Sequence, residues 1–156
     1  MARGSDDLLT WEEIAERLAP PRNYWLVTAD ADDGAHAAPV WGAVHWGDLY
    51  CFTTRSTRKA RNLARDNRAV VHLESGDDVV IVHGRMVDVG EPSAWPDVVR
   101  SFHAKYDQPD DAEYLPSLDP GTAPTHPIDV LYRLEPRRAL LWFLSDFDGS
   151  QMRWSS

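Results

Sequence analysis

A cluster of basic residues lies in a chain whose formal net charge is -9. Six of the sixteen Lys and Arg residues fall within the fourteen positions 55–68, where Asp66 is the one acidic residue. These are Arg55, Arg58, Lys59, Arg61, Arg65 and Arg68. The other 142 residues carry 10 basic and 24 acidic side chains. A positive segment inside a strongly acidic protein indicates a local site for an anionic ligand.

The residues at the start of this cluster are of the types that bind phosphate. Ser56 and Thr57 offer hydroxyl groups. Arg58 offers a planar fork of N–H donors, and Lys59 offers a point charge. A helix predicted to begin at Thr57 places Arg58 and Lys59 in its first turn, where the helix dipole favours acidic residues instead. An anion bound at the helix N-terminus explains the reversal. Charge alone also allows a second interpretation, a solvated basic helix face.

Three helices are predicted to flank the strands. Thr10 and Glu13 have the spacing of a capping box, and the helix that follows ends at Pro20-Pro21. The other two helices are expected at 57–66 and 93–106, where apolar residues recur at helical spacing. The inward residues of the second helix are expected to be Ala60, Leu63 and Ala64.

Seven short runs rich in β-forming residues predict the strands. The runs are 24–29, 36–46, 49–54, 69–74, 79–89, 128–134 and 139–144. The last two are expected to form a closing hairpin through Glu135-Pro136-Arg137-Arg138. Gly/Asp pairs between several of the other runs indicate tight antiparallel turns. Several runs are apolar on both faces, which favours a small antiparallel barrel covered by helices or by a second subunit. We therefore expect one mainly β (α+β) domain over 1–156 and a homodimer.

Residues 108–127 contain five prolines and no periodicity. A loop of this length is typically a lid, a binding loop or a flexible excursion. Asp110, Asp111 and Glu113 in this loop are expected to be solvated rather than to form a catalytic carboxylate pair.

Composition excludes several classes of protein. The net charge of -9 disfavours binding to nucleic acid or to an anionic membrane surface. The acidic N-terminus is unlike a signal peptide, and no apolar stretch approaches the roughly 18 residues of a membrane span. With one cysteine and no paired metal-ligand spacing among the six histidines, we expect a cytoplasmic protein with no metal site. Cys51 is expected to be a small core residue.

The order of residues around the basic cluster resembles that of a known family. Phe52 to Lys59, then Leu63 and Asn67-Arg68-Ala69, resemble the F-x-T-x-x-x-S-R-K...L...N-P-x-A signature of the pyridoxamine-phosphate oxidases. Other strings resemble the deazaflavin-dependent branch of that superfamily. They are Pro39-Val40-Trp41, Gly47-Asp48-Leu49-Tyr50, Arg61-Asn62-Leu63, Gly84, Lys105-Tyr106 and Gln151-Met152-Arg153-Trp154.

This resemblance implies a six- to seven-stranded antiparallel split β-barrel, dimeric, with a flavin-type cofactor at the subunit interface. Carried over by position, the residues that contact the cofactor phosphate are Thr54, Ser56, Thr57, Arg58 and Lys59. Those that line the isoalloxazine-type ring are Pro39, Val40 and Trp41. The anionic tail of coenzyme F420 would give Arg55, Arg61 and Arg65 a role, which the tail-less FMN would not.

The function implied is an F420-dependent oxidoreductase that transfers a hydride between the deazaflavin and a small conjugated substrate. The alternatives are an FMN-dependent oxidoreductase of the same family and a non-catalytic module that binds a cofactor or tetrapyrrole. Because the cofactor carries the hydride, a catalytic acid is not required. By residue chemistry alone the candidate acids are Tyr50, His45, His83 and Tyr106. Trp41 and Trp46 could each stack on a planar ring or belong to the core.

Overall fold

A computed structural model describes residues 9–119 and 126–156. The helices are α1 (Trp11–Leu18), α2 (Arg58–Arg65), α3 (Pro96–Lys105) and α4 (Phe147–Ser150). The strands are β1 (Tyr24–Asp30), β2 (Gly34–Val40), β3 (Gly42–His45), β4 (Asp48–Thr53), β5 (Arg68–Leu73), β6 (Asp78–Gly90), β7 (Val130–Phe143) and β8 (Met152–Ser155). Short 3₁₀ turns lie at Pro92–Ala94, Asp111–Tyr114 and Leu144–Asp146.

The strands form one antiparallel sheet in the order β2-β1-β5-β6-β7-β4-β3, and β8 pairs with the second half of β7. The sheet curls around an apolar core that includes Leu26, Val71, Val82 and Leu141. Helix α1 closes one end of this core with Ile14 and Leu18, and its predicted capping box is present. The predicted split β-barrel with flanking helices is confirmed. Cys51 is 4% exposed in the core, as predicted, and burial raises the pKa of its thiol to about 12.

The predicted single strand 36–46 is wrong, because Trp41 separates β2 from β3. Strand β2 pairs with β1, whereas β3 pairs with β4. The backbone of Gly42 turns this corner against side chains of α3. Its N–H donates to the Tyr106 hydroxyl at 2.8 Å, and its carbonyl accepts from Lys105 Nζ at 2.7 Å. A Cβ at position 42 would lie 2.9 Å from the Tyr24 ring, so only glycine fits here.

The predicted closing hairpin is also wrong, because residues 130–143 form one continuous strand along β6. Gly84 pairs with Pro136 while His83 pairs with Arg138, which leaves Arg137 as the extra residue of a bulge. A bulge tolerates the missing N–H of proline. A Cβ on Gly84 would lie 2.2 Å from the Glu135 carbonyl oxygen, so the close approach also requires glycine. The Glu-Pro-Arg-Arg string therefore marks a bulge rather than a turn.

The other helices follow the predicted pattern with two differences. Ala60 and Leu63 of α2 are buried as predicted, but Ala64 is exposed and Asn62 is buried in its place. The Asn62 amide can be buried because it donates to the Thr28 hydroxyl at 3.0 Å. Helix α3 begins at Pro96, later than predicted, since a separate 3₁₀ turn precedes it.

The expectation that all three acids of the 108–127 loop are solvated is wrong for Asp111. Its carboxylate is buried and forms a bidentate ion pair with Arg22, at 2.6 and 3.0 Å. Leu115 is buried as well, which ties the described part of this loop to α3. Among the described residues, no helix is long and apolar enough to span a membrane.

Candidate functional site

A cavity of about 300 Å³ opens at the corner between β2 and β3. The ends of β2 and β4 form its floor, the first turn of α2 forms one side, and the segment that enters β7 forms another. Its lining residues are Pro39, Val40, Trp41, Phe52, Thr53, Thr54, Lys59, Tyr114, His126, Pro127 and Ile128. The structure therefore brings the predicted ring-lining residues and two of the predicted phosphate-binding residues to one cavity.

Lys59 is the cation of this cavity. It is half-buried, and within residues 9–119 and 126–156 no hydrogen bond or ion pair engages its ammonium group. Burial lowers the pKa of Lys59 below its ordinary value because the charged form loses hydration. An ammonium held partly out of water beside a cavity, without a carboxylate, favours an anionic guest.

Threonines 53, 54 and 57 connect β4 to α2 beside this lysine. Thr57 caps α2 by accepting from Ala60 N–H, and it donates to the Thr54 carbonyl at 2.8 Å. The Thr53 and Thr57 hydroxyls lie 3.4 Å apart, and the Thr54 hydroxyl donates to the Pro127 carbonyl. These contacts fix the start of α2 relative to the cavity, so that Lys59 is presented from a rigid turn.

The Trp41 indole is held in place from behind. It stacks on the Tyr106 ring with centroids 4.3 Å apart, and the Arg22 guanidinium lies 4.8 Å from its ring centroid. The Tyr106 hydroxyl donates to the Arg22 carbonyl at 2.6 Å. Trp46, the other tryptophan considered, lies outside the cavity, 92% exposed in the turn between β3 and β4.

A half-buried lysine, Lys105, reinforces this support. Lys105 Nζ donates to the Tyr24 hydroxyl and to the Gly42 carbonyl, each at 2.7 Å. Partial burial lowers the pKa of Lys105 to about 8, because the charged form loses hydration. Burial also raises the pKa of Tyr106 to about 12. Both groups keep the corner at Gly42, and therefore Trp41, in a defined position.

Two aromatic residues that the sequence patterns did not single out form the opposite wall. The Tyr114 ring stacks on His126 with centroids 4.8 Å apart, and it meets Trp41 edge-on at 6.4 Å. Both residues come from the irregular 108–127 segment, whose lack of periodicity hides which side chains face inward. The proline-rich length of this segment was the one available signal, through its interpretation as a lid or binding loop.

The remaining predicted cofactor-binding residues do not line the cavity. Arg55 forms a bidentate ion pair with Asp88, and its N–H donates to Asp129 at 2.7 Å. Arg58 is bound to Asp30 and Asp33. Of the other three, Ser56 and Arg61 are exposed, and Thr57 caps α2 without lining the cavity.

None of the four candidate acids lines the cavity. Tyr50 is buried beside Trp95, and His45 Nδ1 is 2.9 Å from the Ser101 hydroxyl. Tyr106 is buried behind Trp41, and His83 lies on the outer face of the sheet. In the described part of the chain, no group of three His, Cys, Asp or Glu side chains could hold a metal ion.

A second, wider groove of about 710 Å³ crosses the outer face of the sheet. Small and apolar residues of β1, β2 and β5 form one end, including Val27, Ala35 and Val70. Arg137 and Arg138 form the other, and neither has an ion-pair partner among the described residues. Burial and the nearby Arg138 lower the pKa of His83 in this groove.

The chain belongs to the pyridoxamine 5'-phosphate oxidase family, whose sequence model matches residues 10–143. Conserved hypothetical protein Rv2991 from Mycobacterium tuberculosis is 29% identical, with a TM-score of 0.69 over 92% of this chain and 90% of that one. No curated protein sequence matches the chain significantly.

Two more distant solved structures share the fold. One is an F420 reductase, 19% identical, with a TM-score of 0.58 over 80% of this chain and 94% of that one. The other is a heme binding protein from Mycobacterium smegmatis, 16% identical, with a TM-score of 0.63 over 96% of this chain and 59% of that one.

Proposed function

We propose that this protein is an oxidoreductase that binds a phosphorylated flavin-type cofactor, coenzyme F420 or alternatively FMN, and passes a hydride to or from a small conjugated substrate. The observation that carries the proposal is the half-buried ammonium of Lys59 at the cavity shared with Trp41. A planar ring joined to a phosphate matches an aromatic wall beside a single cation. Membership of the family supports the proposal.

The chain contributes binding and orientation, and the cofactor, when bound, supplies the hydride chemistry. Lys59 would neutralise the cofactor phosphate. Trp41 and Pro39 would fix the plane of the ring and keep water from one of its faces. The Tyr114 and His126 pair would limit how far the ring can slide and leave room for a planar substrate beside it.

We also propose a homodimer that completes the site. A cavity of about 300 Å³ is at the low end for a small-molecule site, so we expect a second copy to cover the rest of a tricyclic cofactor. The outer sheet face offers a suitable surface, because Trp25, Val27, Val70 and Ile81 there are only partly buried. Arg137 and Arg138 beside this face have no ion-pair partner in the described part of the chain, so they suit an acidic partner such as a second copy of this chain. Sedimentation showing a stable monomer at micromolar concentration would contradict the proposed homodimer.

F420 is favoured over FMN by the exposed cations of α2. Arg61 and Arg65 lie one helical turn apart on its surface, and together they could accompany an anionic tail. Arg55 is a weaker candidate for that role, because Asp88 already neutralises it. A structural neighbour named as an F420 reductase gives further support.

The test is a fluorescence titration of the purified protein with F420 and with FMN. We expect at least one to bind with a dissociation constant below about 100 µM, the affinity of a site formed by a few contacts. The bound, reduced cofactor should then be reoxidised by an enone or quinone acceptor. If neither cofactor binds, the proposed function is wrong. If one binds but no acceptor reoxidises it, the protein is a binding module.

A tetrapyrrole-binding module is the second candidate. The His126 imidazole at the cavity offers a possible iron ligand, and one structural neighbour is named as a heme binding protein. Titration with haemin separates the two functions. A shifted absorption band that disappears in His126→Ala, together with no binding of F420 or FMN, would favour this candidate.

A further inference from the structure

We infer that Arg58 does not grip the cofactor phosphate but joins Asp30 in a clasp that holds α2 against the β1–β2 hairpin and thereby positions Lys59 as the phosphate cation. The statement that Lys59 binds a phosphate rests on the proposed function. The clasp itself rests on geometry alone. Arg58 and Lys59, which the family resemblance assigns together to the phosphate, therefore have different roles.

Three hydrogen bonds hold the Arg58 guanidinium. Its Nε donates to Asp30 Oδ2 at 2.7 Å, and its Nη2 donates to Asp30 Oδ1 at 2.8 Å. Nη2 also donates to Asp33 Oδ2 at 2.7 Å. This is the bidentate arrangement in which arginine and carboxylate match best. The guanidinium is turned away from the cavity lined by Lys59 and toward the hairpin.

The surroundings of Asp30 favour an ion pair with Arg58. Its side chain is 3% exposed, and its oxygens also accept from Asn62 Nδ2 at 3.1 Å and from the N–H groups of residues 32 and 33 at 3.0 Å. A buried carboxylate that loses its cation is strongly destabilised. If Arg58 moved from Asp30 to a phosphate, the buried carboxylate would lose its cation and the fold would be destabilised.

The helix geometry links the clasp to Lys59. Arg58 and Asn62 are four residues apart, so they lie on one face of α2, and both reach Asp30. Successive residues of a helix point about 100° apart, which directs Lys59 to a different face. Two anchors one turn apart fix the rotation of α2 about its own axis. That rotation determines whether the ammonium of Lys59 faces the cavity.

The test is a double-mutant cycle with Asp30→Asn and Arg58→Lys, two variants that preserve size or charge. Unfolding is measured without ligand. Binding is measured with FMN and riboflavin, or with F420 and its dephosphorylated chromophore if F420 is the cofactor. The ratio of the two dissociation constants reports contact with the phosphate. Lys59→Ala is the positive control for that ratio, and Arg153→Ala, an exposed arginine of β8, is the neutral control.

We expect each single variant to unfold more easily, and the double variant to be no worse than either, because both changes break the same contact. Cofactor binding should weaken several-fold in each variant, and the phosphate ratio should fall to a similar extent in Asp30→Asn and in Arg58→Lys, because either change releases α2 and displaces the Lys59 ammonium. A wild-type ratio in both variants would overturn the positioning role. A lysine at position 58 could still bind a phosphate directly, so direct binding would survive Arg58→Lys. The bidentate pair with Asp30 would not survive, because it requires the planar guanidinium of arginine.

Additive effects of the two variants on unfolding would overturn the clasp, whatever the ligand results. A phosphate ratio that collapses in an Arg58 variant, with Asp30→Asn unaffected, would overturn the assignment of Lys59. If wild-type protein bound no cofactor, the proposed function and the positioning role would both be wrong. The coupling measured without ligand would still decide whether the clasp exists.

Discussion

Trp41 lies flat against Tyr106, with their ring planes 8° apart. Tyr106 is fixed in turn by the backbone of Gly42, the residue directly after Trp41. The stack therefore joins the corner between β2 and β3 to helix α3. This arrangement gives the cavity one rigid aromatic wall whose support lies outside the cavity.

Removing the Tyr106 hydroxyl should loosen this wall without removing it. In Tyr106→Phe the ring stack remains, but the Gly42 N–H loses its acceptor in a buried site. We expect a loss of about 1–3 kcal/mol in the free energy of unfolding, measured with urea. Cofactor binding should weaken less than in Trp41→Ala, which removes the wall. Equal stability of Tyr106→Phe and wild type would show that the hydroxyl does not anchor the corner.

The opposite wall is expected to affect binding and not stability. Tyr114 is 48% exposed, so Tyr114→Ala should leave the unfolding midpoint nearly unchanged. It removes the ring that stacks on His126, and cofactor or substrate affinity should fall several-fold. Tyr114→Phe keeps the ring and serves as the control. An unchanged dissociation constant in Tyr114→Ala would mean that this pair does not contact the ligand.

Lys105 should make stability increase with pH over a defined window. The pKa of Lys105 is about 8 in the folded protein, against an ordinary value of 10.5. Between these values the unfolded chain binds more protons, so the contribution of this group to stability rises from about pH 8 toward pH 10. The facing groups Tyr24, Tyr106 and Arg22 have raised pKa values and keep their charge states over that range. Urea midpoints at pH 7.5 and 9.5 should show the rise in wild type and a smaller one in Lys105→Met.

Asp30 should contribute to acid denaturation. The Arg58 guanidinium, the N–H groups of the hairpin and Asn62 hold the pKa of this carboxyl well below its ordinary value of 3.8. Its stabilising contribution is therefore complete above about pH 4 and is lost as the pH falls further. Asp30→Asn should be less stable at pH 7, and its stability should depend less on pH below 4. The matched control is Asp107→Asn, an exposed carboxylate, which should retain the wild-type acid profile.

Two glycines provide a matched test of the β6–β7 bulge. Gly84→Ala places a Cβ 2.2 Å from a backbone carbonyl, so we expect destabilisation of at least about 3 kcal/mol. A Cβ at Gly76 would have no heavy atom within 4 Å, so Gly76→Ala should be nearly neutral. Thermal unfolding of both variants gives the comparison. Similar melting temperatures would contradict the close approach at Gly84.

The parts of the fold that depend on local patterns were predictable. The capping box at Thr10 and the alternation in β1 and β5 depend on neighbours in sequence. The Pro136 bulge was not predictable, because its cause is Gly84, more than fifty residues earlier in the chain. The break at Trp41 has a similar origin in Lys105 and Tyr106, whose contacts with Gly42 are long-range.

The candidate site was predictable to a similar degree. The family resemblance implied that Trp41 and Lys59 belong to one site, and both line the same cavity in the structure. Composition could not show that Arg58 and Arg55 are neutralised by Asp30 and Asp88, because those acids belong to distant strands. An excess of positive charge in a segment therefore does not tell which cation remains free for a ligand.

The phosphate dependence of cofactor binding in Lys59→Ala decides whether the ammonium at the cavity is the phosphate site. Affinity for FMN or F420 should fall at least about ten-fold, the loss of one charge-assisted contact, while affinity for the dephosphorylated chromophore stays the same. The wild-type preference for the phosphorylated form would then disappear. If Lys59→Ala kept that preference, the ammonium at the cavity would not be the phosphate site, and the account of this cavity would be wrong.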